Sequence, residues 1–304
     1  MKVHVRGNPE TLAEDARRQF LTILSAEMPM PFEKGSGRLE LANAIADPTN
    51  PLTARVMVNR LWQQHFGFGL VRTTGNFGAL GEQPTHPELL DYLAATFVEQ
   101  GWSLKELHRQ IVQSATYRQG TINAAAAEAD PGNRTWSRYA RRRLDVESWR
   151  DAMLAVAGQL DSAMLGPSQD LAENKNRRRT IYGMVSRHEL NPLLRLFDFP
   201  DPNITSDQRL TTTVPLQQLF VLNSEFMTNL AKEVAHQAQT VDEDDSARIG
   251  ELYERLYNRE PTSAELEIGR RFVQSTEPFP DTQLNRWERY AQALLAANEF
   301  MYLD

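Results

Sequence analysis

The chain of 304 residues contains no cysteine. That absence excludes disulfides, thiolate zinc sites, iron–sulfur clusters, a cysteine nucleophile and the CxxCH attachment of c-type haem. It leaves the compartment open, because a chain without thiols is stable in either redox environment. No run of about eighteen apolar residues occurs, so no segment reads as a membrane span. The opening MKVHVRGNPETLAED lacks the apolar stretch of a secretory leader. VHVRGNP reads instead as the end of a strand running into a loop, as in a chain cut from something longer. Basic surplus is lacking too: the net charge is -7, which disfavours nucleic acid as a partner.

Nucleotide and hydrolase signatures are also missing. The glycines of GNFGALG (75–81) follow a helix rather than a strand, unlike P-loop and Rossmann turns, and no GxSxG elbow occurs. His65 and His86 belong to no HExxH motif, and no histidine pair stands at i, i+4, so no metal site is expected. His65 reads as a last-turn residue favoured by the helix dipole, and His86 as part of a helix start beside the glycine-rich loop.

What remains is helical pattern. Caps and 3.6-residue apolar spacing predict helices over 38–46, 50–66, 86–100, 145–161 and 281–300, with further starts at Ser103, Asn191–Pro192, Pro215, Asn223–Ser224 and Thr262. Asp145 is the expected cap of the 145–161 helix, and Gly166–Pro167 its breaker. Thr180–Ser186 is the best strand candidate, with VHVR near the N-terminus as its partner. Asp242 to Asp245 reads as a solvated acidic turn. The fold class expected is mainly α: a single multi-helix domain over 38–304 with at most a small two-stranded β element, preceded by an N-terminal arm over 1–37.

Polar residues interleaved with apolar ones require partners. Arg55, Asn59, Arg143, Glu147, Asp198 and Arg209 are expected to form a partly buried polar cluster. The triplets Arg141–Arg143 and Arg177–Arg179 either converge on one anion or pair with Asp145, Glu147 and Asp151. The oxygen-rich loop DFPDPNITSD offers Asp198, Asp201, Asn203 and Asp207. It lacks the order of a calcium loop, and Asp198 and Asp201 are expected to cap helices, brace the turn and bind Arg209 or Arg143. Glu147, Asp151, Asp198 and Asp201 are the carboxylates available for acid–base chemistry on a glycosidic bond.

Six ordered motifs carry a resemblance: NPLTARVMVNRLWQQHFGFGLV, GNFGALGEQPTHPELLDYLA, RRRLDVESWRDAMLAVAGQLD, LLRLFDFPDPN, TTVPLQQLFVLNSEFM and AANEFMYLD. Together they resemble the planctomycete-specific domain of unknown function that closes large proteins beginning with a cytochrome-c-like domain. The resemblance implies an extracytoplasmic, multidomain parent whose haem sits in a separate N-terminal domain, with no cofactor in this chain. It implies the preceding domains as partners and a carbohydrate setting, in which an anionic glycan is the expected ligand class. The reading is a non-catalytic accessory, binding or assembly module of a larger exported protein, in polysaccharide handling. Its alternative is a carbohydrate-active enzyme using a carboxylate pair with arginine clamps.

Overall fold

A computed structural model describes residues 2–25, 27–173, 175–241, 244–278 and 283–303. Thirteen α-helices and four short strands are found among the described residues, so the chain is mainly helical as its pattern requires. The helices are distributed over two compact units, Met1–Ala140 and Arg141–Asp304.

The first unit opens with the antiparallel strands β1 (Lys2–His4) and β2 (Leu12–Asp15). VHVR therefore pairs with its own hairpin and not with 180–186 as expected. Helix α1 (Arg38–Ala46) follows, then α2 (Thr53–Phe66), which starts three residues later than its sequence suggests. The cause is Asn50, whose side chain joins the two helices. Its Nδ2 donates to the carbonyls of Ala44 and Ile45, while its Oδ1 accepts the Leu52 amide. Ala54, Val58, Trp62 and Phe66 recur every four residues and bury one face of α2. Helix α3 (Pro87–Glu99) contributes Leu90, Leu93 and Phe97, and α4 (Leu104–Gln113) contributes Leu107 and Ile111. Helix α5 (Ala124–Ala129) is short and exposed, in the segment expected to be a loop or weak helix. Trp62 stacks on Phe66 at 4.3 Å and meets Trp136 edge-on at 5.4 Å.

In the second unit β3 (Arg142–Arg143) pairs with β4 (Tyr302–Leu303), bringing the two ends of the unit together. Between them lie α6 (Val146–Val156), α7 (Pro192–Leu196), α8 (Pro215–Asn223), α9 (Glu225–Val241), α10 (Asp245–Tyr257), α11 (Ser263–Gln274), α12 (Arg286–Leu295) and α13 (Asn298–Met301). Helix α9 buries Met227, Leu230, Ala231, Val234, Ala235 and Ala238, a stripe small enough at its alanines for α12 to approach closely.

Several expectations need correction. Helix α6 stops at Val156, five residues early, because Gly158 takes a left-handed conformation at φ +64° before Gly166 is reached. The expected strand over 180–186 is a 3-10 turn, Thr180–Tyr182, followed by an isolated bridge at Gly183. Thr180 is buried with both its amide and its hydroxyl bonded to Asp151, and this holds the chain out of a ladder. The predicted 281–300 helix begins at Arg286, where Asn285 and Glu288 form a capping box. It is interrupted after Leu295 and restarts at Asn298; positions 281 and 282 lie outside the described residues. Asp242 and Glu243 lie outside them as well, whereas Asp244 caps α10 through the Ala247 amide and so does more than solvate a turn.

Candidate functional site

The sequence candidates fall in both units. In the first, Arg55 donates from Nε to Asp91 Oδ1 at 2.7 Å and from Nη1 to the Pro51 carbonyl, tying α2 to α3. That bond holds the Asp91 carboxyl below its ordinary range. Asn59 is fully buried and pairs like a strand residue with Val71, accepting its amide at 2.8 Å and donating to its carbonyl at 3.0 Å. The approach is so close that a Cβ on Gly69 would stand 2.5 Å from Asn59 Nδ2, which is why glycine occupies that position. His65 Nε2 lies 2.7 Å from His108 Nδ1, joining α2 to α4, and the Tyr139 hydroxyl donates to the His65 carbonyl. His86 precedes α3, with its Nδ1 3.1 Å from the Thr85 hydroxyl.

The second unit gathers Arg143, Glu147, Asp198 and Arg209 around one long loop, 199–214. Helix α7 ends in a left-handed turn: the Phe199 amide reaches back to the Leu194 carbonyl, and Asp198 has φ +61°. Glycine is the usual residue there, and a non-glycine residue costs roughly 1–2 kcal/mol. The aspartate supplies what glycine lacks. Its Oδ2 accepts the Thr212 amide and its Oδ1 accepts the Thr212 hydroxyl, both at 2.8 Å. Asp198 thus braces the loop, as expected, but it binds neither Arg143 nor Arg209 directly; its link to Arg143 runs through Thr212. Arg143 donates from Nη1 to the Thr212 carbonyl at 2.7 Å and to Gln217 Oε1 at 2.9 Å, with its guanidinium over the Phe197 ring. Gln217, buried in α8, donates onward to the Leu196 carbonyl.

A second fastening lies near the Thr212 end of the loop, at Arg209. Arg209 grips Glu147 with both terminal nitrogens, each 2.6 Å from its carboxylate oxygen, and lies over Phe199. The Glu147 bond holds the Arg209 guanidinium above its ordinary value, against the opposing effect of burial. At the other end, Asp201 accepts the Asn203 amide, and Asn203 Nδ2 donates to the Arg187 carbonyl. Asp151 accepts from both polar groups of Thr180 and lies 3.6 Å from Arg179. Arg178, central to its triplet, donates to the carbonyls of Ala163, Leu165 and Pro167.

Sequence reasoning missed Arg150, Thr180, Thr212 and Gln217. Arg150 is 1% exposed and donates to the carbonyls of Asn176 and Arg178 and to the Thr180 hydroxyl. Burial pulls its guanidinium below the ordinary value, while the nearby Asp151 charge pulls the other way. The one available signal was Gln217, which shares a helix face with Val221, four residues on, in a segment otherwise rich in leucine.

Arg143 and Gln217 also line a partly open cavity of ≈ 20 Å³ together with Val214, Val221, Met301 and Tyr302. It has room for about one water. Among the described residues, no group of three or more His, Asp or Glu side chains is arranged to hold a metal ion, and no helix is long and apolar enough to cross a membrane.

These features define a class of helical module whose acids and arginines fasten its own loops. Over residues 37–273 the chain matches the family described as PSD1, protein of unknown function (DUF1553), and it belongs to that family. No curated protein and no solved structure matches significantly.

Proposed function

We propose that the chain is a non-catalytic binding module of a larger extracytoplasmic protein, and that the fastened loop 199–214 is its recognition element. The observation that carries this reading is the state of its carboxylates. Glu147 is held by the Arg209 fork, Asp151 by Thr180, Asp198 by Thr212 and Asp201 by Asn203. An acid–base pair needs groups free to exchange protons with a substrate, and these four are committed to the fold. The loop meanwhile exposes residues 203–214 to solvent while both its ends are anchored. Loops of this length in compact proteins commonly serve binding.

An anionic glycan suits the local charge. Residues 175–209 contain seven Lys and Arg against four Asp and Glu, in a chain that is acidic as a whole. Lys175, Arg179, Arg187, Arg195 and Arg209 are exposed within that stretch. Guanidinium forks match the geometry of uronate carboxylates and sulfates. The carbohydrate and extracytoplasmic setting rests on the sequence resemblance, as does the haem assigned to a separate domain of the parent protein.

The test is calorimetric titration with oligogalacturonate and with a sulfated galactan oligosaccharide, at low and at moderate salt. Binding that weakens with salt and is lost in the double variant Arg187→Ala, Arg195→Ala supports the reading. Absence of binding to both at low salt overturns the ligand class, and release of shortened sugars overturns the non-catalytic assignment in favour of a glycan-cleaving enzyme.

A further inference from the structure

Arg143 fastens the loop without an acidic partner. Arg209 is neutralised by Glu147 and Arg55 by Asp91, whereas both acceptors of Arg143, the Thr212 carbonyl and Gln217 Oε1, are neutral. The acid of the same network, Asp198, is taken by the amide and hydroxyl of Thr212 and does not bond to the guanidinium. Both acceptors are reached from Nη1, so Nε and Nη2 of Arg143 have no hydrogen-bond partner among the described residues. These two groups lie side by side on one edge of a guanidinium. The same pair in Arg259 grips the two oxygens of Glu299 at 2.6 and 2.8 Å, so the unengaged edge of Arg143 has the shape of a carboxylate receptor.

The partly open cavity at this arginine suits that guest. Among the described residues that line it, Arg143 alone is charged; Val214, Val221, Met301 and Tyr302 give it apolar walls, and the exposed Gln218 and Asn298 add amide groups at its rim. Walls of low polarity strengthen the pull of a guanidinium on an anion. Thr213 and Val214, which also line it, lead into the N-terminal end of α8, where a helix favours negative charge. Room for about one water admits the flat end of a carboxylate, one oxygen thick, and excludes the tetrahedral head of a sulfate ester. We infer that this pocket receives a single carboxylate, held by Nε and Nη2 of Arg143. A further step, which rests on the glycan reading above, assigns the ligand to the uronates rather than to sulfated sugars, with the sugar ring outside the pocket beside the Thr212 end of the loop.

The test follows the Arg143 Nε–H by nuclear magnetic resonance, its signal assigned through its loss in Arg143→Lys. Sodium galacturonate, galactose, and galactose carrying a sulfate ester on the equivalent carbon are titrated separately. Galacturonate should shift that signal with a Kd of roughly 1–10 mM, and the other two should leave it in place. Asn298→Trp sets a larger side chain at the exposed rim, away from the bonds that fasten the loop, and should weaken galacturonate roughly fivefold with an unchanged thermal melt. If its melt does change, Gln218→Trp on the same rim takes its place. A sulfated sugar that shifts the signal equally, no shift by galacturonate up to about 50 mM, or full affinity in the rim variant would each overturn the inference. Galacturonate binding without any binding of oligogalacturonate would uphold the pocket and refute the glycan reading instead.

Discussion

Asp198 and Thr212 close a loop of thirteen intervening residues through two hydrogen bonds of 2.8 Å, one to each carboxylate oxygen. The threonine carbonyl is taken by Arg143, so every polar atom of Thr212 is occupied. Asp198→Ala should therefore destabilise the second unit by roughly 1–3 kcal/mol, the range for losing charge-assisted bonds. Asp198→Gly, which also removes the left-handed strain, should lose less. Urea denaturation of both variants, with amide exchange at Thr212, checks the ordering; equal losses would show that the strained backbone contributes nothing.

The Arg209–Glu147 fork has good geometry but lies at the surface, with side chains 40% and 23% exposed. A double-mutant cycle with alanine at both positions should give a coupling of about 0.5–1 kcal/mol that shrinks in 1 M salt. A coupling several times larger would mean that the fork, and not Asp198, is the principal anchor of the loop.

Arg150 should matter more to stability than either surface pair. Arg150→Ala leaves the carbonyls of Asn176 and Arg178 and the Thr180 hydroxyl without their donor inside the protein, which costs roughly 2–5 kcal/mol. Arg150→Lys keeps the charge but reaches fewer acceptors, and an intermediate loss is expected. Thermal melts of the two variants are sufficient, and an unperturbed Arg150→Ala would remove the buried guanidinium from the list of structural supports.

Acid sensitivity should appear at the C-terminal helices. Hydrogen bonds from Arg259, then those from Thr262, hold the Glu265 carboxyl down to about 2, against the opposing effect of burial. A carboxyl depressed in the folded state binds its proton more readily when unfolded. Its contribution is therefore complete above the ordinary carboxylate range and is lost as pH falls from about 4.5 toward 2. Glu265→Gln should flatten the dependence of the denaturation midpoint on pH across that window and leave the slope near pH 7 unchanged. The side chain is 30% exposed, so solvent screening keeps the effect modest.

Local chemistry made much of the fold readable. Asp145 with Ser148, Ser103 with Glu106 and Thr262 with Glu265 each place a cap three residues before the amide it accepts, so the pairing is written within one turn. Long-range fastenings leave no such trace. Nothing within TIYGMVS reveals that Arg150 and Asp151, about thirty positions earlier, will claim Thr180 and prevent a strand. The site was legible in its residues and not in its partners. Asp198, Arg143, Glu147 and Arg209 were recognisable as groups in need of neighbours, but Thr212 is one of three successive threonines and has no distinguishing feature in sequence. Helix α10 went unread because its polar, charge-rich stretch hides the buried set Ile249, Leu252, Tyr253 and Leu256.

The two anchors of the 199–214 loop differ in what they ask of the residues between them. Asp198, Thr212, Arg143 and Gln217 hold the ends from outside the span 202–208, and Asn203 ties that span to the Arg187 carbonyl. The frame and the displayed segment are thus separable. Foreign heptapeptides grafted between Asp201 and Arg209 should fold with the host, which makes the module a natural scaffold for selecting new specificities, in the way hypervariable loops are exchanged on an antibody framework.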